Sequence, residues 1–156
     1  MKSTNFQMPR SVQIDEESLT ASYGSFAVQP LERGFGTTIG NALRRCLLSS
    51  IEGAAVKALK IESVQHEFTV VPGVVEDVTE LVLNLKEVYF RSHADDDKVL
   101  HVQMKGPGEL KASDLAVDAD IEVMNPDQHI ASLDGDGELD MEITVGKGRG
   151  YVLAEE

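Results

Sequence analysis

Acid–base and metal chemistry need carboxylates, imidazoles or thiols at fixed spacing, and the densest such group here is Asp134-Gly135-Asp136-Gly137-Glu138. Three carboxylates in so short a run offer hard oxygen ligands to a divalent cation. The spacing fails the calcium-loop template: glycine stands fourth rather than sixth, and Val145 occupies the twelfth position, where a bidentate Glu is required. The run therefore reads as a hairpin turn. Gly146-Lys147-Gly148-Arg149-Gly150 combines glycine amides with two cations, as a phosphate cradle would, but no helix N-terminus follows it. It reads as a flexible, positively charged contact loop. His66, His93, His101 and His129 show no ligand spacing, and no nucleophile and base can be paired. Cys46 is the sole cysteine, which excludes an intrachain disulfide and a multi-cysteine zinc site. Neither catalytic residues, nor a metal, nor a cofactor is predicted.

What remains is recognition chemistry, concentrated between Gln29 and Gly53. Pro30 and Gly34-Phe35-Gly36 predict a tight entry loop over 31–36. A helix follows, with Thr37 or Thr38 available as its cap. Ile39, Ala42, Leu43, Cys46 and Leu47 fall on one apolar stripe, and Asn41, Arg44, Arg45 and Leu48 on the opposite side. Two permanent cations beside a leucine are common at protein interfaces, whereas the blander reading is an ordinary amphipathic core helix. Glu52-Gly53 is expected to close the helix, since glycine often stands just past a C-terminus.

The elements that must carry this helix come before and after it. Val12, Ile14, Leu19, Ala21, Tyr23, Phe26 and Val28 alternate with polar residues, which predicts two strands with a possible bulge at Gly24. Beyond Gly53, strands are predicted over 56–62, 67–71, 87–92, 99–104, 120–124, 130–133 and 139–145. Val78, Leu81, Val82 and Leu85 return to helical spacing within 74–86, with Glu76 and Asp77 in the first turn and Lys86 at the end, as the helix dipole favours. Asp95-Asp96-Asp97 is too charged to bury, Gly106-Pro107-Gly108 breaks the chain, and Ala112-Ser113-Asp114 opens a short helical turn or loop. The fold class is α+β. A strand-strand-helix part spans 1–53, and a mostly antiparallel β region with one helix spans 54–156.

With 156 residues and 42% hydrophobic content, the chain has room for one ordinary domain or two small ones sharing a core. The formal net charge of -13 argues against nucleic-acid binding by the whole surface, so any DNA contact must be local or made by a partner. The first residues lack the apolar run of a signal peptide, and nowhere do ~18 consecutive apolar residues suggest a membrane span. The chain is expected to stay in the cytoplasm.

The run Leu31-Glu32-Arg33-Gly34-Phe35-Gly36-Thr37-Thr38-Ile39-Gly40-Asn41-Ala42-Leu43-Arg44-Arg45, followed by Leu47-Leu48-Ser49-Ser50, resembles the signature of the amino-terminal domain of the bacterial RNA polymerase alpha subunit. Further matches follow in the family's order: His66-Glu67-Phe68, Val71-Pro72-Gly73-Val74-Val75-Glu76-Asp77-Val78, Leu83-Asn84-Leu85-Lys86, Asn125-Pro126-Asp127-Gln128-His129-Ile130 and Gly148-Arg149-Gly150-Tyr151-Val152. The resemblance spans nearly the whole chain. It implies a non-catalytic subunit of DNA-directed RNA polymerase that dimerises and provides the platform for the beta and beta-prime subunits, touching DNA only through the assembled enzyme. It also implies that Arg45, with Arg44, Arg33, Gly34 and Gly36, contacts the beta subunit, and that Glu80 and Lys86 face the large subunits. Read without the family, Arg33 pairs locally with Glu32, Glu80 and Lys86 are solvated helix charges, and the glycines are backbone requirements.

In that family the second region resembles an insertion, after which further strand and a long helix return to complete the first. Here the chain stops at Glu156, as a truncated form would. The stripe is then expected to need cover from the strands over 12–28, or from a second protomer as a homodimer through Ile39, Leu43, Cys46 and Leu47, or else to leave the region before Gly53 poorly ordered. Two readings from other classes remain beside this one. The first is a small acidic protein-binding module acting through its Arg-bearing helix, and the second an enzyme using the Asp134 turn with a divalent metal.

Overall fold

The computed structural model describes residues 6–20, 22–115 and 119–153. The chain divides into two compact units, Met1–Ser50 and Ile51–Glu156. Both belong to an α+β arrangement of antiparallel strands with two α-helices among the described residues, neither of them long and apolar enough to cross a membrane.

In the first unit, β1 (Ser11–Ile14) pairs antiparallel with β2 (Phe26–Gln29), Ser11 standing opposite Gln29 and Ile14 opposite Phe26. The predicted alternation through Leu19 and Tyr23 does not become strand, and Ala21 lies outside the described residues. Local hydrogen bonds win there. The Ser18 hydroxyl donates to the Asp15 carbonyl at 3.0 Å, and the Thr20 hydroxyl accepts from the Tyr23 amide at 3.0 Å, so short polar side chains turn the backbone away from a ladder.

Helix α1 runs Phe35–Ser50, so Thr37 and Thr38 lie inside its first turn rather than capping it. The Phe35 amide donates to the Glu32 carbonyl at 3.1 Å, and the Thr38 hydroxyl donates back to the Gly34 carbonyl at 3.4 Å. Gly34 makes the entry possible at φ +90, a conformation L side chains rarely adopt. The Phe6 and Phe35 rings meet edge to face at 4.8 Å between centroids. Glu52-Gly53 does not close the helix. Those residues begin the next strand, because Glu52 and Gly53 pair with Arg149 and Gly148.

The second unit is built on a five-stranded antiparallel sheet in the order β5-β9-β3-β4-β7, from β3 (Glu52–Ile61), β4 (Phe90–Ser92), β5 (Lys98–Lys105), β7 (Ile121–Val123) and β9 (Glu138–Arg149). A two-stranded ribbon pairs β6 (Gly108–Lys111) with β8 (His129–Leu133), and a 3-10 turn over Ala112–Asp114 leaves β6. β9 alternates as its sequence demands: Leu139, Met141, Ile143 and Val145 are buried, and Asp140, Glu142 and Thr144 are half-buried. Gly146 to Arg149, read above as a flexible contact loop, instead prolong β9 against β3. Their cations are held locally, Lys147 by Asp95 at 2.9 Å and Arg149 by Glu52 at 3.1 Å.

The run 67–71 is not a strand, and only Val70 bridges to Asp77. The second helix, α2, spans Val78–Lys86 rather than starting near Val74. Residues before it are taken by extended pairing: Val74 bridges Leu133, and the Val75 amide donates to the Ser132 carbonyl at 2.9 Å. Asp77 is the N-cap, its carboxylate accepting from the Glu80 amide at 2.8 Å while the Glu80 carboxylate accepts from the Asp77 amide at 3.4 Å, a reciprocal capping box. Asp77→Ala is expected to lower stability by about 1 kcal/mol, read as a lower thermal midpoint with earlier amide exchange in the first turn of α2. Val78, Leu81 and Leu85 of α2 are buried, and the helix contacts β3 and β8.

Where the 71–74 turn meets the β8–β9 turn, only glycine fits. A Cβ on Gly73, itself at φ +75, would collide with Cα of Gly137. The core then closes around Leu100, Leu110, Leu115, Ile130 and the inward face of β9.

Candidate functional site

The cations singled out from the sequence lie on or beside α1. Arg33, Arg44 and Arg45 are exposed, and every residue of α1 except the half-buried Ile39 is exposed as well. At about 100° per residue, Gly36, Gly40, Leu43 and Leu47 fall within ~60° of one another, Ile39 and Cys46 flank them, and Arg45 points about 160–200° away from the leucines. Leu43 and Leu47 are 56% and 61% exposed. A Cβ added at Gly36 or Gly40 would meet nothing within 4 Å. A helical glycine costs ~1 kcal/mol against alanine, and no contact of the described residues requires either one. Their shared face with Leu43 and Leu47 was not recognised in the sequence, although i, i+4, i+7, i+11 spacing is the signal that reveals it.

On α2, Glu80 and Lys86 do not meet. The Glu80 carboxylate is engaged at the helix start, whereas Lys86, at the far end, has no ion-pair partner among the described residues. The two sit roughly 120° apart around the helix with Leu83 between them, 56% exposed, so they bound a stripe and form no pair.

The Asp134–Glu138 run is the β8–β9 connection, closed by the Gly137 amide donating to the Asp134 carbonyl at 3.0 Å. No group of three or more His, Cys, Asp or Glu among the described residues is arranged to hold a metal ion.

One ionisable cluster had no sequence signal. His129 on β8 faces Glu76 Oε1 with Nε2 at 2.8 Å and Glu109 Oε1 with Nδ1 at 2.9 Å. Glu76 Oε2 also accepts the Ser132 amide at 2.7 Å. The partners lie 53 and 20 residues away in sequence, so only the β6–β8 pairing and the extended approach to α2 assemble them. Both bonds hold His129 above its usual 6.5, that from Glu76 most, with burial opposing. Burial pushes the Glu76 carboxyl up, but the Ser132 amide and His129 together outweigh it and leave the carboxyl below its usual value.

Residues 59–156 match the family model described as the RNA polymerase Rpb3/RpoA insert domain. The chain is 58% identical over 135 residues to the DNA-directed RNA polymerase subunit alpha of Symbiobacterium thermophilum, covering 86% of this chain and 43% of that protein. With the same subunit of Alkaliphilus metalliredigens it shares 54% identity over 144 residues, 92% of this chain and 46% of the relative. With that of Leptospira biflexa it shares 51% over 154 residues, 97% and 47% respectively. The chain thus spans less than half the length of these curated relatives. The β body from β3 to β9 lies almost wholly within the matched span, and the Arg-bearing helix before it falls within the similarity to the Leptospira biflexa subunit; the chain belongs to the RNA polymerase Rpb3/RpoA insert-domain family.

Proposed function

We propose that this chain acts as a non-catalytic assembly subunit of a bacterial DNA-directed RNA polymerase, in the cytoplasm. It self-associates through the Gly36, Gly40, Leu43 and Leu47 face of α1, flanked by Ile39 and Cys46. It presents Arg45, with Arg33 and Arg44, to the beta subunit, and the Glu80, Leu83 and Lys86 stripe of α2 to the large subunits. DNA is reached only through the assembled enzyme.

The observation that carries this reading is α1 itself, a 16-residue amphipathic helix with no buried residue. Isolated helices of this length are marginal in water, and a helix is ordinarily stabilised by packing its apolar face. An arginine on the side away from that face then remains free for a second partner, and arginine is favoured for desolvated interface contacts because its planar fork keeps several donors aligned.

Arg45→Ala is expected to weaken capture of the beta subunit by about 2 kcal/mol, roughly 30-fold in Kd, with an unchanged circular dichroism spectrum. Titrating purified beta subunit against wild type and variant measures it. Unchanged affinity with an unchanged spectrum would remove Arg45 from the interface.

A further inference from the structure

We propose that His129 is a proton-dependent clasp that ties the extended segment Val74–Glu76, at the entrance to α2, to the β6–β8 ribbon. The geometry requires an imidazolium. A neutral imidazole carries one N–H, so with carboxylate oxygens at 2.8 Å from Nε2 and 2.9 Å from Nδ1, deprotonation would leave a lone pair facing a carboxylate. The doubly protonated ring donates to both and holds Glu76 and Glu109 together across it.

The charged groups around the ring come from three elements. Glu76 arrives from the segment before α2 with its side chain only 13% exposed, and Glu109 comes from β6. Lys111, also on β6, stands 3.5 Å from Glu109, and its amide is held by the Asp114 carboxylate of the 3-10 turn at 2.9 Å. β8 itself contributes only His129 and the Ser132 amide. Lys111 offsets part of the charge on Glu109 and forms no ion pair with Glu76, so after loss of one His129 proton the single remaining N–H serves only one of the two carboxylates at a time, and the half-buried Glu76 keeps Ser132 but loses the full charge of the imidazolium.

Glu76 directly precedes Asp77, the cap of α2, and its neighbour Val75 is bonded to Ser132. Weakening the hold on Glu76 therefore loosens the approach to the helix. The body of α2 is held independently: Leu81 and Leu85 are buried, and the Asn84 amide group donates to the Ile130 carbonyl at 3.0 Å. Opening is confined to the segment before the cap. It is neither an unfolding of the unit nor a loss of α2.

The sign of the pH dependence follows from the direction of each shift. The His129 contribution is complete below the usual imidazole value of 6.5 and is lost as pH rises through the higher folded value. The Glu76 and Glu109 contributions are present above the usual 4.5 and are lost as pH falls through their lower folded values. The clasp is fully closed between those limits and loosens on the alkaline side, where loss of one proton leaves a single N–H for two carboxylates.

Nitrogen-15 chemical shifts of the His129 ring and amide exchange at Val75 and Ser132 test this on the whole chain. Between ~pH 6 and ~pH 9, both ring nitrogens are expected to be protonated at the acid end. Across the same range, protection at the two amides, corrected for intrinsic exchange, should fall about tenfold while the β3–β9 amides hold. His129→Gln should show the low protection throughout, and His101→Gln, on β5, should reproduce the wild-type profile. Two results would overturn the clasp: a single-tautomer neutral ring at ~pH 6, or protection at Val75 and Ser132 that does not change with pH. The ring shifts are read on the wild type, so a His129→Gln chain that failed to fold would leave the decision intact.

Discussion

Leu43→Glu is expected to abolish the self-association proposed for the α1 face and leave a monomer. Fully burying a leucine is worth ~1.5–3 kcal/mol, and Leu43 is 56% exposed in the single chain, so roughly half of that remains to be gained in an interface. A two-fold contact uses each residue twice, which brings the loss to about 2–3 kcal/mol, or ~30- to 200-fold in the dimer constant. The cost of bringing two carboxylates into an apolar contact comes on top. Gly36 and Gly40 sharpen the expectation, because they leave the centre of the face flat enough for a second helix backbone to approach closely. Sedimentation velocity over a concentration series reads the result. A wild-type chain that stays monomeric at every concentration, unchanged by the substitution, would show that this face does not pair with itself.

Leu81→Ala is expected to destabilise the second unit by ~2–5 kcal/mol. Leu81 has no exposed surface and lies on the side of α2 that packs against β3 and β8. Removing its terminal carbons takes away burial and leaves a cavity between α2, strand β3 of the five-stranded sheet and strand β8 of the ribbon, and hydrogen-bonded strands collapse poorly into a void. For a unit of this size the thermal midpoint should fall by roughly 10–25 °C, measured by far-ultraviolet circular dichroism on heating. Leu83→Ala, three-fifths exposed on the outer stripe of the same helix, provides the contrast, with a shift of only a few degrees. A fall of less than ~4 °C for Leu81→Ala would mean that α2 contributes little to this core.

The contrast between Leu81 and Leu83 was legible in advance, since 3.6-residue periodicity separates the two sides of α2 without any knowledge of what lies beneath. The same holds for β9, where period-two alternation from Leu139 to Val145 matches burial residue by residue. The start of α2 was misplaced although Asp77 and Glu80 carry the capping-box spacing, because Val74 and Val75 also suit a helix and only their pairing with Ser132 and Leu133 pulls them into extended form. β6 was missed altogether. A four-residue strand following Gly106-Pro107 carries too little periodicity to register, and it exists because β8 is there to pair with it.

Among the candidate site residues, Arg44 and Arg45 stood out through their place beside Leu48 on one side of the helix, whereas Arg33 entered only through the family resemblance; the structure leaves all three exposed. The glycine-leucine face was only half seen, since Gly36 was assigned to a loop until the backbone placed it in the first turn of α1. His129 was beyond reach. Its two carboxylates come from other elements, and nothing in the local pattern around residue 129 requires either.

By itself the sequence determined the fold class, the apolar faces of both helices and the central strands, and the run from Leu31 to Ser50 that marks the family, because those properties are carried by neighbours along the chain. Tertiary structure alone decided three things. Gly146 to Arg149 became strand because β3 extends far enough to pair with them, and Lys147 and Arg149 consequently spend their charge on Asp95 and Glu52. Gly73 and Gly137 became indispensable because two turns cross there without room for a Cβ. His129 acquired two anionic partners because the β6–β8 ribbon and the approach to α2 converge on it. In each case the physical reason is the same: the energy of a close contact depends on distances between segments remote in sequence, and those distances exist only once the sheet has set its register.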